Sequence, residues 1–237
     1  MTKRWIVTGG SRGLGLAVAR WAIARGDRVA VTARNIDEAY LKAELGAGCL
    51  PMVADVTSPE SVNVAFERIA AALGGIDVLI NNAGLHRGGK ADKLDLDDWD
   101  AVLRTNLTGP LHCVRAALPH MEKGGSIVNI GAVVGFRGFP GDSPYGASKA
   151  GLAGLTRVLA VELARQDIRV NLVVPGLVKT DMTEGLSGRA LDSIMKRIPM
   201  RRLGHDDEVA EVVGWVAGST YMTGAIIPTD GGLSAML

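Results

Sequence analysis

The sequence predicts an α/β protein with a doubly wound, seven-stranded and mostly parallel sheet that carries helices on both faces. Short, nearly continuous apolar runs rich in β-branched residues alternate with longer segments of helical periodicity. Strands buried on both faces have this continuous apolar character, and regular alternation with helices favours parallel pairing. A chain of 237 residues can form one such domain, and no linker or repeat divides it. We therefore predict a single domain over residues 1–237.

The element boundaries follow from the same patterns. The predicted strands are Trp5–Thr8, Arg28–Thr32, Cys49–Val53, Ile76–Asn81, Ser126–Ile130, Arg169–Val174 and Ala225–Thr229. The predicted helices are Gly13–Arg25, Asp37–Leu45, Pro59–Leu73, Leu96–Met121, Tyr145–Arg165 and Asp206–Ala217. Ser58 before Pro59 is typical of a helix start, because serine caps a helix and proline is favoured at its first position.

Residues 178–202 interrupt this alternation after the sixth predicted strand. The segment is long and contains Gly185, Gly188 and Pro199. Long excursions in compact domains often cover binding sites, so we predict a substrate lid here. The alternative is an irregular surface loop.

Composition and charge exclude several functions. The formal net charge is +1, which gives no reason to expect a nucleic-acid or membrane-surface partner. An apolar run of about 18 residues, as a membrane span needs, is missing from the sequence. Cys49 and Cys113 have neither metal-ligand nor CxxC spacing, so we expect free thiols rather than a disulfide, and a cytoplasmic location.

The four histidines are scattered along the chain and lack the spacing of metal ligands, so no metal site is predicted. They are His86, His112, His120 and His205. Surface or partner contacts are the expected roles. His86 follows Asn81–Gly84 at the end of the fourth strand and is a candidate for the border of a substrate pocket.

A glycine-rich turn connects the first predicted strand to the first predicted helix. It reads Thr8-Gly-Gly-Ser-Arg-Gly-Leu-Gly15. Glycines at such positions let the backbone N–H groups and the helix N-terminus approach a pyrophosphate. In this strand–turn–helix context the turn predicts a Rossmann-type dinucleotide site. The residues expected to form it are Gly9, Ser11, Arg12, Gly13, Leu14 and Gly15.

The end of the second predicted strand indicates which dinucleotide binds. An acidic residue there would accept a hydrogen bond from a free ribose 2′-hydroxyl and favour NAD. The sequence instead has Arg34, with no carboxylate before Asp37. Arg12 and Arg34 place two cations where a 2′-phosphate could lie, so we predict NADP(H), with NAD(H) as the alternative.

Tyr145 and Lys149 are the candidate proton-transfer pair. Positions i and i+4 share one face of a helix, with Cβ atoms about 6 Å apart. Reduction of a ketone needs a proton donor at the oxygen, but an ordinary phenol has a pKa near 10. A neighbouring ammonium favours the phenolate, so we expect Lys149 to lower the pKa of Tyr145.

These motifs, in this order, resemble the short-chain dehydrogenase/reductase family over essentially the whole chain, and within it the bacterial 3-oxoacyl-carrier-protein reductases. Tyr145-Gly-Ala-Ser-Lys149 matches its Tyr-x-x-x-Lys active-site motif, and Asn81-Asn-Ala-Gly84 matches its structural strand end. Asp230-Gly-Gly232 resembles the end of its last strand.

The resemblance also implies further site residues. Asp55 and Val56 would contact adenine, and Asn106 would hold a proton-relay water. Cofactor contacts are likewise implied for Asn82, Ala83, Gly84, Tyr145, Lys149, Pro175, Gly176, Val178 and Thr180.

The sequence departs from the family pattern at one catalytic position. Thirteen residues before Tyr145 the family has a serine that hydrogen-bonds the substrate oxygen, and this chain has Ala132. A methyl group cannot donate a hydrogen bond. Because the surrounding motifs fit an active enzyme, one explanation is a serine-to-alanine exchange made to trap a complex. Ser143 has a hydroxyl two residues before Tyr145, but the sequence does not show that it reaches the site.

The sequence therefore predicts NADPH-dependent reduction of a ketone to a secondary alcohol, impaired by Ala132. The alternative is a weak or inactive NADP-binding sensor or scaffold. A 3-oxoacyl thioester is one substrate class, but Gln166 stands where a second cation beside Lys123 would be expected for carrier-protein binding. Small ketones, sugars and coenzyme A thioesters stay open.

A homotetramer is predicted from surplus apolar residues on two helical segments, since the family resemblance implies that such helices pair across a two-fold axis. These residues are Leu111, Val114, Leu118, Leu155, Val158 and Leu159.

Overall fold

The computed structural model describes residues 2–179 and 195–235. One sheet contains the strands β1 (Arg4–Thr8), β2 (Arg28–Ala33), β3 (Cys49–Val53), β4 (Ile76–Asn81), β5 (Met121–Ile130), β6 (Arg169–Pro175) and β7 (Ile226–Thr229). Their order is β3-β2-β1-β4-β5-β6-β7, and each neighbouring pair is parallel. The predicted doubly wound fold is confirmed, with β5 starting at Met121 rather than at Ser126.

The helices alternate with these strands. They are α1 (Gly13–Ile23), α2 (Glu38–Leu45), α3 (Pro59–Leu73), α4 (Leu96–Leu103), α5 (Gly109–Ala117), α6 (Ser143–Leu163) and α7 (Asp206–Gly218). α3 begins as the sequence predicts, because the Ser58 hydroxyl accepts a hydrogen bond from the Ser61 N–H and Pro59 occupies the first turn. None of the helices in the described ranges is long and apolar enough to cross a bilayer.

The prediction of one helix over Leu96–Met121 is wrong. A π-helical turn, Arg104–Thr108, separates α4 from α5. Pro110 has no N–H to give the carbonyl of Asn106, four residues earlier. The Gly109 N–H donates instead to the carbonyl of Arg104, five residues earlier. The wider turn changes the direction of the chain at Asn106. Such π turns are frequent at functional sites.

The sheet divides the core into two layers. Successive residues of a strand face opposite sides, so Trp5 and Val7 pack with buried residues of α1, α2 and α7. Ile6 packs on the other side with buried residues of α3, α5 and α6. Both faces of the sheet are therefore covered, as the apolar strands require.

The order of the strands positions the binding site. The chain starts at β1 in the centre, builds outward to β3, and then crosses back to β4 and builds outward to β7. This reversal leaves a crevice at the carboxyl ends of β1 and β4, where ligands of such folds bind.

Most of the predicted lid, residues 180–194, lies outside the described residues. Its described return segment is anchored near the crevice. There Ile198 is buried in one apolar cluster with Val133 and Leu233.

Candidate active site

The glycine-rich turn lies at the carboxyl end of β1, beside the crevice. Gly9 and Gly13 have φ values of +62° and +52°, in the left-handed region that favours glycine. A Cβ on Gly15 would collide with the carbonyl oxygen of Gly9, whereas one on Gly13 would point into open space. α1 then starts at Gly13 with no acidic side chain in its first turn. This backbone fits an anionic pyrophosphate at a helix N-terminus.

The end of β4 braces this turn. The Asn82 Nδ2 atom donates hydrogen bonds to the carbonyl oxygens of Thr8 and Gly9, each at 3.0 Å. The Thr8 hydroxyl oxygen accepts from the backbone N–H groups of Asn82 and Ala83. The side chain of Asn82 therefore stabilises the conformation of the turn. The side chain of Leu14 packs against the apolar core, so Leu14 can offer only its backbone to a cofactor.

Two exposed arginines lie at the carboxyl ends of β1 and β2. Thr8 pairs in register with Thr32, so Arg12 and Arg34 follow adjacent strand ends. In the described ranges, neither arginine has an ion pair within the chain. The nearest downstream carboxylate, Asp37, caps α2 by accepting from the Tyr40 N–H at 2.9 Å. Asp37 is thus held at the helix start.

Asp55 and Val56 follow the end of β3, where the family resemblance expects contact with adenine. One carboxylate oxygen of Asp55 accepts from the N–H and the hydroxyl of Thr57, at 2.9 and 2.8 Å. The Val56 carbonyl lies 3.0 Å from Nδ1 of His112. These bonds fix the loop at one edge of the crevice.

Tyr145 and Lys149 lie on adjacent turns near the start of α6. Lys149 is only 4% exposed, and its Nζ atom donates to the carbonyl of Ile130 at 2.8 Å. The same Nζ is 5.6 Å from the centroid of the Tyr145 ring. An ammonium group is therefore fixed beside the phenol at the carboxyl end of β5.

The prediction that Lys149 lowers the pKa of Tyr145 is wrong. Burial of the phenol and the nearby charge of Asp142 raise the pKa of Tyr145 to about 12. Burial also lowers the pKa of Lys149 to about 8. Desolvation disfavours the charged form of each group and is the largest cause of both shifts.

Asn106, in the π turn, connects α4 and α5 to the crevice. Its Nδ2 atom donates to the Leu85 carbonyl at 2.9 Å and to the Ser148 hydroxyl at 3.2 Å, and its Oδ1 accepts from the Leu85 N–H. Gly84 lies so close that a Cβ there would be 3.6 Å from that Oδ1 and 3.9 Å from the Lys149 Nζ. The structure thus brings Asn106, Gly84 and Lys149 together, and the relay water stays a prediction.

Ala132 follows β5 and opens a short 3-10 turn, Val133–Gly135. A Cβ on Gly135 would come within 2.8 Å of the Lys149 backbone, so this turn packs directly on α6. Ala132 is therefore held next to the Tyr145–Lys149 turn but offers only a methyl group. Ser143 is the first residue of α6 and is exposed.

The end of β6 closes the crevice on its far side. Pro175 is the last residue of the strand, and a Cβ on Gly176 would approach the Cα of Asp230 to 2.6 Å. Val178 is half-buried beyond this close crossing. Thr180, another predicted cofactor contact, lies outside the described residues.

One site residue, Asp142, was not predicted from the sequence. Asp142 immediately precedes α6 and pairs with His86, the residue predicted at the pocket border. The position of Asp142 three residues before Tyr145 was the available signal, since it places a carboxylate one turn from the phenol. Without the course of residues 84–90, its pairing with His86 could not be inferred.

The fold and the site together define an oxidoreductase of the dinucleotide-binding class. The anion-binding turn lies at the same sheet edge as a half-buried tyrosine paired with a buried lysine. Comparison with known proteins agrees. Residues 9–234 match the family model described as enoyl-(acyl carrier protein) reductase.

Relatives and solved structures resemble the chain along its length. The human 3-oxoacyl-[acyl-carrier-protein] reductase is 42% identical over 100% of both chains, and that of Thermotoga maritima is 39% identical over 96% of both. A mutant of a Serratia marcescens short-chain dehydrogenase/reductase superposes with a TM-score of 0.93, at 32% identity over 98% of each chain. A metagenomic blue fluorescent protein in complex with NADPH gives a TM-score of 0.90, at 34% identity over 98% of this chain and 97% of that one. The chain belongs to the short-chain dehydrogenase/reductase family, whose members bind a nicotinamide cofactor.

Proposed function

We propose that the chain uses NADPH to reduce a ketone to a secondary alcohol, with 3-oxoacyl thioesters as the substrate class to test first. The observation that carries the proposal is the pair of the half-buried Tyr145 and the buried Lys149, at the edge that also holds the Gly9–Gly15 turn. The names of the human and Thermotoga maritima relatives support the thioester class.

In this proposal each residue has a defined task. The turn and the start of α1 hold the pyrophosphate. Lys149 and Asn82 fix the backbone on the cofactor side of the crevice through their hydrogen bonds. The bound nicotinamide supplies the hydride. Tyr145 donates its proton to the oxygen of the reduced carbonyl, and the Lys149 ammonium stabilises the phenolate left behind. Asn106 steadies Leu85 and Ser148 around this pair.

An NADPH-oxidation screen tests the proposal. The substrates are 3-oxoacyl thioesters, sugars and cyclic ketones, each offered to the chain and to Ala132→Ser. An enoyl thioester of equal chain length tests the alternative reaction named in the family description. Oxidation of NADPH with a ketone supports the proposal. Turnover of the enoyl thioester alone overturns it.

Ala132 favours a second candidate, an NADP-binding sensor or scaffold with little turnover. Such a protein needs the glycine turn but has no use for a buried ammonium beside a phenol. Tight NADPH binding together with inactivity of both the chain and Ala132→Ser on every ketone would favour this second candidate.

We expect NADPH to bind roughly 10- to 100-fold more tightly than NADH. A charge-assisted phosphate contact contributes about 1.5–3 kcal/mol, which corresponds to one to two decades in affinity. The freely exposed Arg12 and Arg34, and the use of Asp37 as a helix cap, support this expectation. Calorimetric titration measures both affinities, and tighter NADH binding contradicts the prediction.

Two arginine variants test which residue causes the preference for NADPH. Arg34→Ala should weaken NADPH binding and leave NADH binding nearly unchanged. Arg20→Ala is the matched control, since Arg20 is an exposed arginine of α1 paired with Glu44. If both variants lose the same NADPH affinity, general surface charge rather than a phosphate contact explains the preference.

We propose that the protein assembles as a homotetramer. A tetramer with three two-fold axes needs two different self-complementary surfaces. Val158 and Val161 on α6 are 55% and 79% exposed, and near the last strand Trp215 and Tyr221 are 58% and 101% exposed. Since α6 and α7 pack on opposite faces of the sheet, Val161 and Trp215 belong to two separate apolar surfaces. Of the residues named from the sequence, Leu111 and Val158 are exposed, whereas Val114 and Leu159 belong to the protomer core.

Light scattering at micromolar concentration should give the mass of four chains. Val161→Glu should reduce this mass to that of a dimer, because a charge on one apolar surface leaves the other intact. Val64→Glu, a similar change at a half-exposed valine of α3, should leave the tetramer in place. A monomer mass for the unchanged chain would rule the assembly out.

We place the protein in the cytoplasm. Cys49 and Cys113 are both buried free thiols. Burial raises the pKa of Cys49 to about 11 and that of Cys113 to about 12, so both resist oxidation.

A further inference from the structure

The segment that follows β4 is docked on the start of α6. The Gly89 N–H donates to the Gly141 carbonyl at 2.8 Å, and Gly89 pairs with Asp142 in an isolated parallel bridge. A Cβ on Gly88 would collide with that same carbonyl oxygen of Gly141. Backbone contacts therefore hold the segment beside Asp142.

One imidazole in this segment contacts both the carboxylate and the phenol ring. His86 Nε2 lies 3.0 Å from Oδ1 of Asp142. The rings of His86 and Tyr145 meet edge to face, with centroids 4.8 Å apart and planes at 80°. A carboxylate oxygen accepts hydrogen bonds, so the His86 tautomer with its proton on Nε2 donates to Asp142. His86 is thereby fixed at one end by Asp142 and against Tyr145 by its ring.

The contact between His86 and Asp142 affects the charge that surrounds the Tyr145 phenol. In the described part of the chain, the titratable groups near the phenol are His86, Asp142 and Lys149. Arg87 of the docked segment is paired with Asp98 of α4. Asp142 opposes ionisation of the phenol and raises the pKa of Tyr145. A hydrogen bond from the imidazole N–H of His86 partly offsets the negative charge of Asp142. A protonated imidazole would neutralise that charge.

We propose that His86 and Asp142 are positioning residues for Tyr145. His86 fixes the phenol ring edge-on, and Asp142 sets the charge that the phenol meets when it gives up its proton. This inference rests on the proposed reductase function. It adds two residues outside the Tyr-x-x-x-Lys motif, at a site where Ala132 contributes no hydrogen bond.

Fluorine NMR tests the role of Asp142 without any substrate. The chain has three tyrosines, so labelling with 3-fluorotyrosine gives few signals, and Tyr145→Phe assigns the relevant one. The fluorinated phenol ionises at lower pH than tyrosine, which brings the titration within reach. Asp142→Asn should lower the titration midpoint of residue 145, because it removes the negative charge that opposes ionisation of the phenol.

Asp207→Asn is the matched control, an exposed first-turn carboxylate on α7. It should leave the midpoint unchanged. An unchanged or raised midpoint in Asp142→Asn overturns the role of Asp142. Because this readout needs no turnover, it separates failure of this inference from failure of the proposed reduction.

Two His86 variants test positioning of the ring, measured in the Ala132→Ser chain. His86→Ala should lower kcat roughly tenfold with NADPH affinity unchanged, because a misplaced proton donor costs rate rather than cofactor binding. His86→Phe keeps an aromatic edge and should recover most of that loss. Equal kcat for His86→Ala and the parent, or equal impairment of both variants, overturns the role of the ring.

Discussion

Ala132→Ser should raise the turnover of a ketone by about 10²–10³-fold, the factor that one preorganised hydrogen-bond donor to a developing oxyanion contributes. In the present chain Tyr145 is the one side chain in the described site assigned to donate to the substrate oxygen. Ala132 follows β5, and the 3-10 turn after it packs on α6 beside Lys149. A serine hydroxyl at this position would therefore enter the same site.

The effect should appear in the rate and in neither cofactor affinity nor stability. The Gly9–Gly15 turn and Lys149 are unchanged by the substitution, so NADPH titrations of the two chains should agree. Ala132 is partly exposed and the added volume is one oxygen atom, so the thermal midpoint should hardly move. Ala150→Ser is the matched control, since Ala150 is an exposed residue of α6.

Two outcomes would contradict this prediction in different ways. A chain that is already fast, and no faster with serine, means that Ser143 or a water supplies the second hydrogen bond. A serine variant that is inactive on every ketone favours the sensor, with Tyr145 and Lys149 serving only to bind the cofactor.

The sequence predicted the fold closely because its signals are local. β3, β4 and α3 match their predicted ranges to the residue. Each has a continuous apolar run or a capped amphipathic pattern that needs no knowledge of the rest of the chain. The glycine turn was similarly evident, because four glycines within seven residues after an apolar strand form a local pattern, and φ values of +62° at Gly9 and +52° at Gly13 favour glycine.

What the sequence could not predict depends on distances between segments. The π turn at Asn106 replaces a helical pattern that is periodic on both sides, and its side chain is satisfied by Leu85, 21 positions away. The rise in the pKa of Tyr145 depends on burial, which the i, i+4 spacing to Lys149 does not reveal. Pairing of His86 with Asp142 spans 56 positions and needs the docked segment.

Lys149→Met should remove most of the turnover and at the same time change how stability depends on pH. General acid catalysis by a correctly supported group contributes about 10²–10⁴-fold. We expect a loss of this size when the substitution is made in the Ala132→Ser chain, because no ammonium then stabilises the phenolate of Tyr145. NADPH oxidation at saturating ketone measures it.

The stability effect follows from the pKa of Lys149. Burial lowers this pKa to about 8, whereas an unfolded lysine titrates near 10.4. Between these pH values the unfolded chain binds more protons than the folded chain, so the contribution of Lys149 to folding becomes more favourable as pH rises. Below pH 8 both states hold the proton, and burial of the charge carries its full cost, at most about 3 kcal/mol. Methionine avoids that cost but leaves the Ile130 carbonyl without its donor, which offsets about 1–3 kcal/mol of the gain.

The informative quantity is therefore the difference in unfolding free energy between the two chains, because groups far from the substitution that also titrate at alkaline pH, such as Cys49 and Cys113, cancel in it. Denaturant unfolding at pH 7 and at pH 10 should show the lysine chain gaining stability relative to Lys149→Met. Lys42→Met removes an exposed lysine paired with Glu38 and should show no such pH-dependent difference. Lys149→Met could instead keep the parent's turnover and the parent's pH dependence of stability. In that case the ammonium is neither desolvated by the fold nor required for the proton transfer, and its hydrogen bond to the Ile130 carbonyl has no catalytic role.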